Sequence, residues 1–347
     1  MHKSLKYLSL MLVGLAMSGV IAACSGSGGD SNKAANQPVE VTLVSYAVTQ
    51  SAYSKIIPKF VEQWKNQTGQ EVIFQQSYGG SGSQTRAVID GLEADVVALA
   101  LALDTKKIEK AGLIQAGWEK EFPNESIVTK SVAALVKRDD SVKVSTWADL
   151  ANKDIKVITA NPKTSGGARW NFLALWGSVT VAGGTPQQAE QYVAQVFKNA
   201  PVLPKDARES SDVFYKQGQG NVLINYENEV ILAQQKGEKS NYVVPTDYNI
   251  SIDSPIAIVD TNVDKHGTRK VAEAFVQYLF TPDAQREFAQ AGFRPVDPTV
   301  TKEFASQYPE VKKLFTVKDL GGWSKIQAKF FDDGAVFDKI LTKNGKS

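Results

Sequence analysis

The feature that most constrains the fold of this chain is a repeated alternation of strand-like and helix-like segments. Residues 39–43 alternate apolar and polar side chains, as a half-buried strand does, and an apolar stripe at helical spacing then continues until Gly69. Residues 72–74 predict a second strand, residues 87–92 a second helix and residues 96–101 a third, fully buried strand. This βαβαβ succession indicates a parallel sheet that is covered by helices.

The alternation resumes further along the chain. Strand patterns there cover 132–136, 157–158, 222–224 and 256–259, and helical patterns cover 169–176, 187–197, 230–235, 270–280 and 283–291. The tail at 300–341 predicts short helices. A chain of 347 residues exceeds the ~250–300 residues at which one hydrophobic core stops growing. We therefore expect an α/β protein with two lobes.

Residues 1–23 have the pattern of a secretory signal peptide. Lys3 and Lys6 give a positive start, 8–20 form an apolar stretch, and small residues lead to Cys24. The apolar stretch is shorter than the ~20 residues of a membrane-spanning helix. We expect these residues to be removed; the alternative is an uncleaved anchor helix.

Cys24 is the single cysteine of the chain, which excludes a disulfide framework and a multi-cysteine metal site. Its place after two alanines resembles a bacterial lipoprotein processing site. That resemblance implies lipidation of the Cys24 thiol and attachment to a membrane; the alternative is a free thiol. Residues 25–36 are rich in glycine and serine without large apolar side chains, so 24–38 predict a flexible tether.

Composition argues against several function classes. The chain has 39 basic and 37 acidic residues, and this balance argues against nucleic-acid binding. Its two histidines are His2, in the leader, and His266, which stands in a polar stretch and is expected to be solvated. With so few histidines, a serine–histidine–acid catalytic triad is not expected, and no metal-ligand spacing or phosphate-loop motif is present. The acids Glu227 and Glu229 alone do not indicate a hydrolase.

Two loops rich in glycine and serine stand out, at 77–84 and 161–169. Each lies between a predicted strand and a predicted helix. A helix start carries unpaired N–H groups and a partial positive charge, so it attracts anions without a formal cation. Glycine allows the backbone to approach an anion closely, and serine adds a hydroxyl donor. Because ligands of open α/β sheets bind at the carboxyl ends of strands, the two loops predict an anion site between the lobes.

These loops belong to a wider resemblance to the sulfate-binding proteins of bacterial ABC transporters, which runs from about residue 41 to 334. The segments that carry it are 65–70, 76–77, 94–100, 161–177 and 220–229. The resemblance implies a two-lobed periplasmic binding protein of type II, with a ligand cleft between the lobes. Lobe 1 would comprise 39–130 and 251–299, lobe 2 would comprise 131–250, and helices in 300–347 would brace both.

The resemblance also implies a set of ligand-binding residues. The family binds sulfate with backbone N–H groups, one serine hydroxyl and one tryptophan indole. By motif, the N–H donors fall on Ala47, Ser81, Gly166, Gly167 and Ala207, the hydroxyl on Ser165, and the indole position on Tyr226. A tyrosine hydroxyl both donates and accepts, which bears on the exclusion of protonated anions such as hydrogen phosphate. The alternative is that Tyr226 is a core aromatic residue.

The implied function is capture of sulfate outside the cytoplasmic membrane and delivery to the membrane permease of an ABC transporter. The protein would be a monomer in the periplasm or on the outer face of the membrane, with neither cofactor nor catalysis. Three arginines are expected to lie behind the residues that contact the anion, without touching it: Arg86, Arg169 and Arg208. Thiosulfate, molybdate and phosphate remain alternative ligands, and an enzyme acting on a sulfated or phosphorylated substrate is the alternative from another class.

Overall fold

Residues 38–239 and 241–345 are described by a computed structural model of the chain, and these described residues form one compact unit. The predicted signal peptide, the lipidation site at Cys24 and nearly all of the predicted tether lie outside the described residues.

Strands of the described part fall into two main sheets and one short pair. Their bounds are β1 (Val39–Tyr46), β2 (Val72–Gly79), β3 (Val96–Ala98), β4 (Ile127–Ser131), β5 (Ala133–Lys137), β6 (Val157–Ile158), β7 (Val222–Tyr226), β8 (Asn241–Val243), β9 (Asn249–Ile250), β10 (Ile252–Ile258) and β11 (Leu314–Phe315). The five-stranded sheet has the order β2-β1-β3-β10-β4, and the four-stranded sheet has the order β6-β7-β5-β8. We call the part built on the former lobe 1 and the part built on the latter lobe 2.

Helices cover both sheets. Their bounds are α1 (Gln50–Thr68), α2 (Ser81–Ile89), α3 (Ala102–Lys110), α4 (Gly166–Thr180), α5 (Pro186–Lys198), α6 (Ala207–Tyr215), α7 (Glu227–Gln235), α8 (Asp260–His266), α9 (Arg269–Tyr278), α10 (Pro282–Gln290), α11 (Pro298–Glu303), α12 (Trp323–Ile326) and α13 (Val336–Lys343). Short 3-10 helices include Ala47–Thr49 directly after β1, and Gln327–Phe331 form a π-helical turn after α12.

Both sheets are mixed, whereas the alternation of strands and helices predicted parallel pairing. β1 is parallel to β2 and β3, and β6 is parallel to β7. β10 is antiparallel to β3 and β4, and β5 is antiparallel to β7 and β8. Apolar periodicity reports which face of a strand is buried but not its direction, so the expectation of parallel sheets was wrong for β5 and β10.

The chain passes between the two sheets at two places that lie close to strand ends. Val132 separates β4 of lobe 1 from β5 of lobe 2. Ser251 separates β9 from β10, which brings the chain back to lobe 1. The C-terminal segment then contacts elements of both lobes, with α11 against α10 and α13 against α5.

One local prediction near the cleft needs correction. α2 begins at Ser81 rather than at residue 87, because its first turn is Ser-Gly-Ser-Gln, which has weak helix propensity and is held by its neighbours in the fold. α1 continues through Pro58 without a break. The earlier start of α2 places its N-terminus directly after Gly80, at the carboxyl end of β2.

Candidate functional site

A small cavity of about 10 Å³ lies where the two lobes meet, and the predicted ligand-binding residues surround it. Its wall comprises Tyr46, Ala47, Val48, Gly79, Gly80, Ser81, Ala100, Ser165, Gly166, Gly167, Asp206, Ala207 and Tyr226. All seven residues that the resemblance implied are therefore brought together, although they come from five separate stretches of sequence.

Helix starts make up most of this wall. α2 begins at Ser81, α4 at Gly166 and α6 at Ala207, and the 3-10 helix after β1 begins at Ala47. The first N–H groups of a helix have no acceptor within the helix, and the helix dipole adds partial positive charge at the same end. Four such starts from two lobes face one small volume, which makes the cavity electropositive without a cation.

The Tyr226 hydroxyl is a side-chain donor at the cavity that lacks a partner among the described residues. The residue is only 2% exposed, and within the described part of the chain its buried hydroxyl makes no hydrogen bond. A Cβ added at Gly167 would lie 3.1 Å from that hydroxyl oxygen, so the phenol sits against the start of α4. Burial raises the pKa of Tyr226 well above its usual value, which keeps the hydroxyl protonated and able to donate.

The two serines of the wall have different hydrogen-bonding roles. Ser81 Oγ donates to Asp104 Oδ2 at 2.7 Å and accepts from the Ala100 N–H at 3.1 Å, so its hydroxyl proton is committed. Ser165 Oγ accepts from the Ala168 N–H at 3.2 Å, which caps α4 and leaves the proton available to a ligand. Ser165 can thus contribute its hydroxyl to an anion, whereas Ser81 can contribute only its main-chain N–H.

Close contacts between the lobes at the cavity require glycine. A Cβ at Gly80 of lobe 1 would lie 2.8 Å from the Thr164 carbonyl oxygen of lobe 2. A Cβ at Gly166 would lie 2.6 Å from Ala100 Cβ on the opposite side. The Trp170 indole also donates across the cleft to the Ala100 carbonyl at 2.8 Å. The structure therefore has the lobes closed on each other at this point.

Comparison with known proteins identifies the family. The model of the family described as bacterial extracellular solute-binding protein matches residues 41–294. The sulfate-binding protein of Synechocystis sp. is 63% identical over 340 residues, which cover 96% of this chain and 97% of that protein. The chain belongs to the bacterial extracellular solute-binding proteins.

Two further proteins to which the chain is similar bear on the fold and the ligand. The solved structure of the sulfate-binding protein SubI from Mycobacterium tuberculosis has a TM-score of 0.78 and 36% identity, covering 85% of this chain and 100% of that chain. The thiosulfate-binding protein of Pseudomonas aeruginosa is 34% identical over 339 residues, 97% of this chain and 98% of that protein. The predicted resemblance and the predicted two-lobed α/β fold are confirmed.

The cavity wall contains no basic side chain: no described residue that lines it is lysine, arginine or histidine. Arg208 forms an ion pair with Glu229 through atoms 2.7 Å apart, and Arg169 Nε donates to the Pro162 carbonyl at 2.8 Å. Burial raises the pKa of Glu229, and the neighbouring Arg208 opposes that shift. Of the three predicted outer arginines, Arg86 contacts Ser83 at 3.4 Å.

Some wall residues were missed by the sequence reasoning. Tyr46, Val48 and Ala100 are ordinary apolar positions at or just after the ends of β1 and β3, and nothing in their local pattern distinguishes them. Asp206 carried a signal, because Asp206 and Glu209 have the spacing of a helix cap, and its carboxylate accepts from the Glu209 N–H at 2.8 Å. That hydrogen bond directs one carboxylate oxygen of Asp206 to the helix rather than to a ligand.

Two kinds of feature are absent from the described residues. Within 38–239 and 241–345, no group of histidine, cysteine, aspartate or glutamate side chains is arranged to hold a metal ion. The helices of the same residues include none that is both long and apolar enough to span a membrane.

Proposed function

We propose that this chain is the extracytoplasmic component of an ABC transporter that binds sulfate and delivers it to a membrane permease. The observation that carries the proposal is the convergence of four helix starts and the unpartnered Tyr226 hydroxyl on one cavity that has no basic side chain in its wall. Sulfate at neutral pH is a doubly charged acceptor, and such a wall offers it donors. Similarity to proteins named sulfate-binding supports the same ligand.

Magnitudes favour a cage built from neutral donors. Desolvation of a dianion costs tens of kcal/mol in a medium of low dielectric constant. Each hydrogen bond to a charged group returns ~1.5–3 kcal/mol net, so five N–H groups and two hydroxyls return ~10–20 kcal/mol, to which the helix dipoles add. These values are already net of the water contacts that the anion gives up, so the remaining cost is that of association, ~4–15 kcal/mol, and the sum allows micromolar affinity, which corresponds to about −8 kcal/mol.

In this proposal Ser165 and Tyr226 donate their hydroxyl protons to sulfate, and Ala47, Ser81, Gly166, Gly167 and Ala207 donate their main-chain N–H groups. Closure of the lobes then removes the anion from water, and no bond of the ligand is broken. The alternative reading of Tyr226 as a core aromatic explains its burial but leaves its unpartnered hydroxyl unexplained.

Thiosulfate is the second candidate ligand, because a relative named thiosulfate-binding is 34% identical. Isothermal titration calorimetry of the mature protein with sulfate, thiosulfate, molybdate and phosphate separates the candidates. We expect sulfate to bind most tightly and phosphate most weakly, since hydrogen phosphate carries a proton that needs an acceptor. Tight phosphate binding with sulfate excluded would end the proposal.

Export and anchoring complete the proposed function. We propose cleavage before Cys24, lipidation of its thiol, and residence as a monomer in the periplasm or on the outer face of the cytoplasmic membrane. The variant Cys24→Ala should move the protein from the membrane fraction to the soluble extracytoplasmic fraction without changing its sulfate affinity. Membrane association of that variant equal to that of the unsubstituted protein would contradict lipid anchoring.

A further inference from the structure

Asn225 is a buried side chain that connects two separate parts of the proposed anion site. It is the penultimate residue of β7 and is 1% exposed. Its Nδ2 donates to the Ala207 carbonyl at 2.8 Å, and its Oδ1 accepts from the Tyr226 N–H at 2.8 Å. One amide therefore bonds to the first residue of α6 and to the last residue of β7.

The orientation of this amide is fixed by its partners. The Ala207 carbonyl can only accept and the Tyr226 N–H can only donate, so Nδ2 and Oδ1 cannot exchange places. The second proton of Nδ2 is donated to Ser211 Oγ at 3.0 Å. Ser211 in turn donates to Glu229 Oε2 at 3.2 Å, and Glu229 is the partner of Arg208. Both Nδ2 protons of Asn225 are therefore donated, and its Oδ1 accepts a third hydrogen bond.

We propose that Asn225 is a positioning residue, which fixes the distance between two anion donors, the Ala207 N–H and the Tyr226 hydroxyl. The inference rests on the proposed sulfate-binding function. α6 and β7 are different elements, and each presents one donor to the same cavity. A donor that is displaced by about 0.5 Å or tilted by about 10–20° contributes much less to the affinity of a site of this kind. Asn225 does not line the cavity and contributes through these two neighbours alone.

The test measures sulfate affinity by calorimetry for the full mature protein and two variants at Asn225. Asn225→Ala removes all three hydrogen bonds, and sulfate should bind about tenfold or more weakly. Asn225→Asp has nearly the same shape and keeps the acceptor for Tyr226 N–H. It loses both amide donors and adds negative charge behind the site, so its loss should be at least as large. The second variant serves if the first does not fold.

A matched control separates positioning from general stability. Asn199 is 7% exposed in the same lobe, and its Nδ2 donates to the Leu150 carbonyl at 3.0 Å and the Asn152 carbonyl at 2.9 Å, away from the cavity. Asn199→Ala should lower the thermal midpoint as Asn225→Ala does, yet change sulfate affinity by less than about twofold. Equal affinity losses in the two variants would overturn the inference.

A double-mutant cycle gives a readout that a merely structural residue would not change. In a Tyr226→Phe background one of the two positioned donors is already absent, so the loss from Asn225→Ala should shrink by about threefold or more. Fully additive losses would count against positioning. If the unsubstituted protein fails to bind sulfate, the proposed function itself fails and this inference with it. If it binds and both Asn225 variants bind equally well, the inference alone fails.

Discussion

The two walls of the cavity differ in the kind of group that each can offer to a ligand. The lobe 1 wall, formed by 46–48, 79–81 and Ala100, contributes main-chain groups, because the Ser81 hydroxyl is occupied by Asp104 and by the Ala100 N–H, and the Tyr46 hydroxyl is hydrogen-bonded to Ser254 Oγ. The lobe 2 wall, formed by 165–167, 206–207 and Tyr226, contributes two hydroxyl groups in addition to main-chain groups, and the Asp206 carboxylate in it accepts from the Glu209 N–H. Side-chain substitutions should therefore affect ligand affinity mainly on lobe 2, and backbone geometry should matter mainly on lobe 1.

The largest expected effect comes from a methyl group at the contact between the two walls. In Gly80→Ala the new Cβ would meet the Thr164 carbonyl oxygen, which is backbone and cannot move away cheaply. The lobes should then fail to close, and sulfate affinity should fall by about 100-fold, the value of one to two hydrogen bonds to an anion. Calorimetry measures the loss, and circular dichroism should show an intact fold.

Gly79→Ala provides the comparison for that variant. The nearest atom to a Cβ at Gly79 is Gln84 Nε2 at 3.5 Å, an ordinary contact with a side chain that can adjust. Its affinity loss should be much smaller than that of Gly80→Ala. Equal losses would mean that the loop tolerates no side chain at all, and the argument from lobe closure would be wrong.

The two serines give the sharpest contrast between the walls. Ser165→Ala removes a hydroxyl proposed to donate to sulfate, so affinity should fall by about 10-fold to 100-fold. Ser81→Ala leaves the buried Asp104 carboxylate without that donor, so the free energy of unfolding should fall by ~1–3 kcal/mol with a smaller loss of affinity. Chemical unfolding and calorimetry on both variants measure the two quantities. The reverse pattern would refute the assignment of roles.

Tyr226→Phe should lower sulfate affinity less than Gly80→Ala does, and it should leave the stability of the unliganded protein unchanged or raise it. One donor is lost, so sulfate should bind about 10-fold more weakly. The unliganded protein should be as stable as before or more stable, because the hydroxyl that is removed has no partner and its burial is unfavourable. The measurements are calorimetry and thermal unfolding without ligand. A loss of stability with unchanged affinity would assign Tyr226 to packing.

How much of this site the sequence predicts depends on which interactions are local. Ser165–Gly166–Gly167 form the start of a single helix, and glycine and serine at a helix start are a local signal. The amide of Asn225 acts on Ala207 across 18 positions of sequence, and Ser81 is committed to Asp104 across 23, so no pattern within one segment shows either contact. Strand direction was missed for the same reason, since pairing of β5 and β10 depends on how the chain crosses between lobes.

His266 shows a similar failure at the other end of β3 from the cavity. The residue is exposed, as expected, but both ring nitrogens have partners that the sequence did not predict: Nδ1 lies 2.9 Å from Asp95 Oδ1 and Nε2 lies 2.9 Å from Glu93 Oε2. Asp95 also accepts from the Thr268 hydroxyl, and Lys265 pairs with Glu93. The acids lie about 170 positions earlier in sequence, which is why the polar context of His266 alone did not indicate them.

The smallest predicted effect follows from this cluster and tests whether it is separate from the cavity. Hydrogen bonds to Glu93 and Asp95 raise the pKa of His266 above its usual value of about 6.5. Protonated His266 therefore stabilises the folded state fully below about pH 6.5, and this contribution disappears as pH rises through the folded pKa. Glu93 is half exposed, so the contribution should be about 1 kcal/mol or less.

The experiment is chemical unfolding of the unsubstituted protein and of His266→Gln from pH 6 to 9. The free energy of unfolding should fall with rising pH by this amount only in the unsubstituted protein, while sulfate affinity stays equal in both proteins at every pH. If sulfate affinity changed with the protonation of His266, the cluster at the start of β3 would influence the cavity at its other end. Sulfate binding would then depend on residues outside the cavity wall.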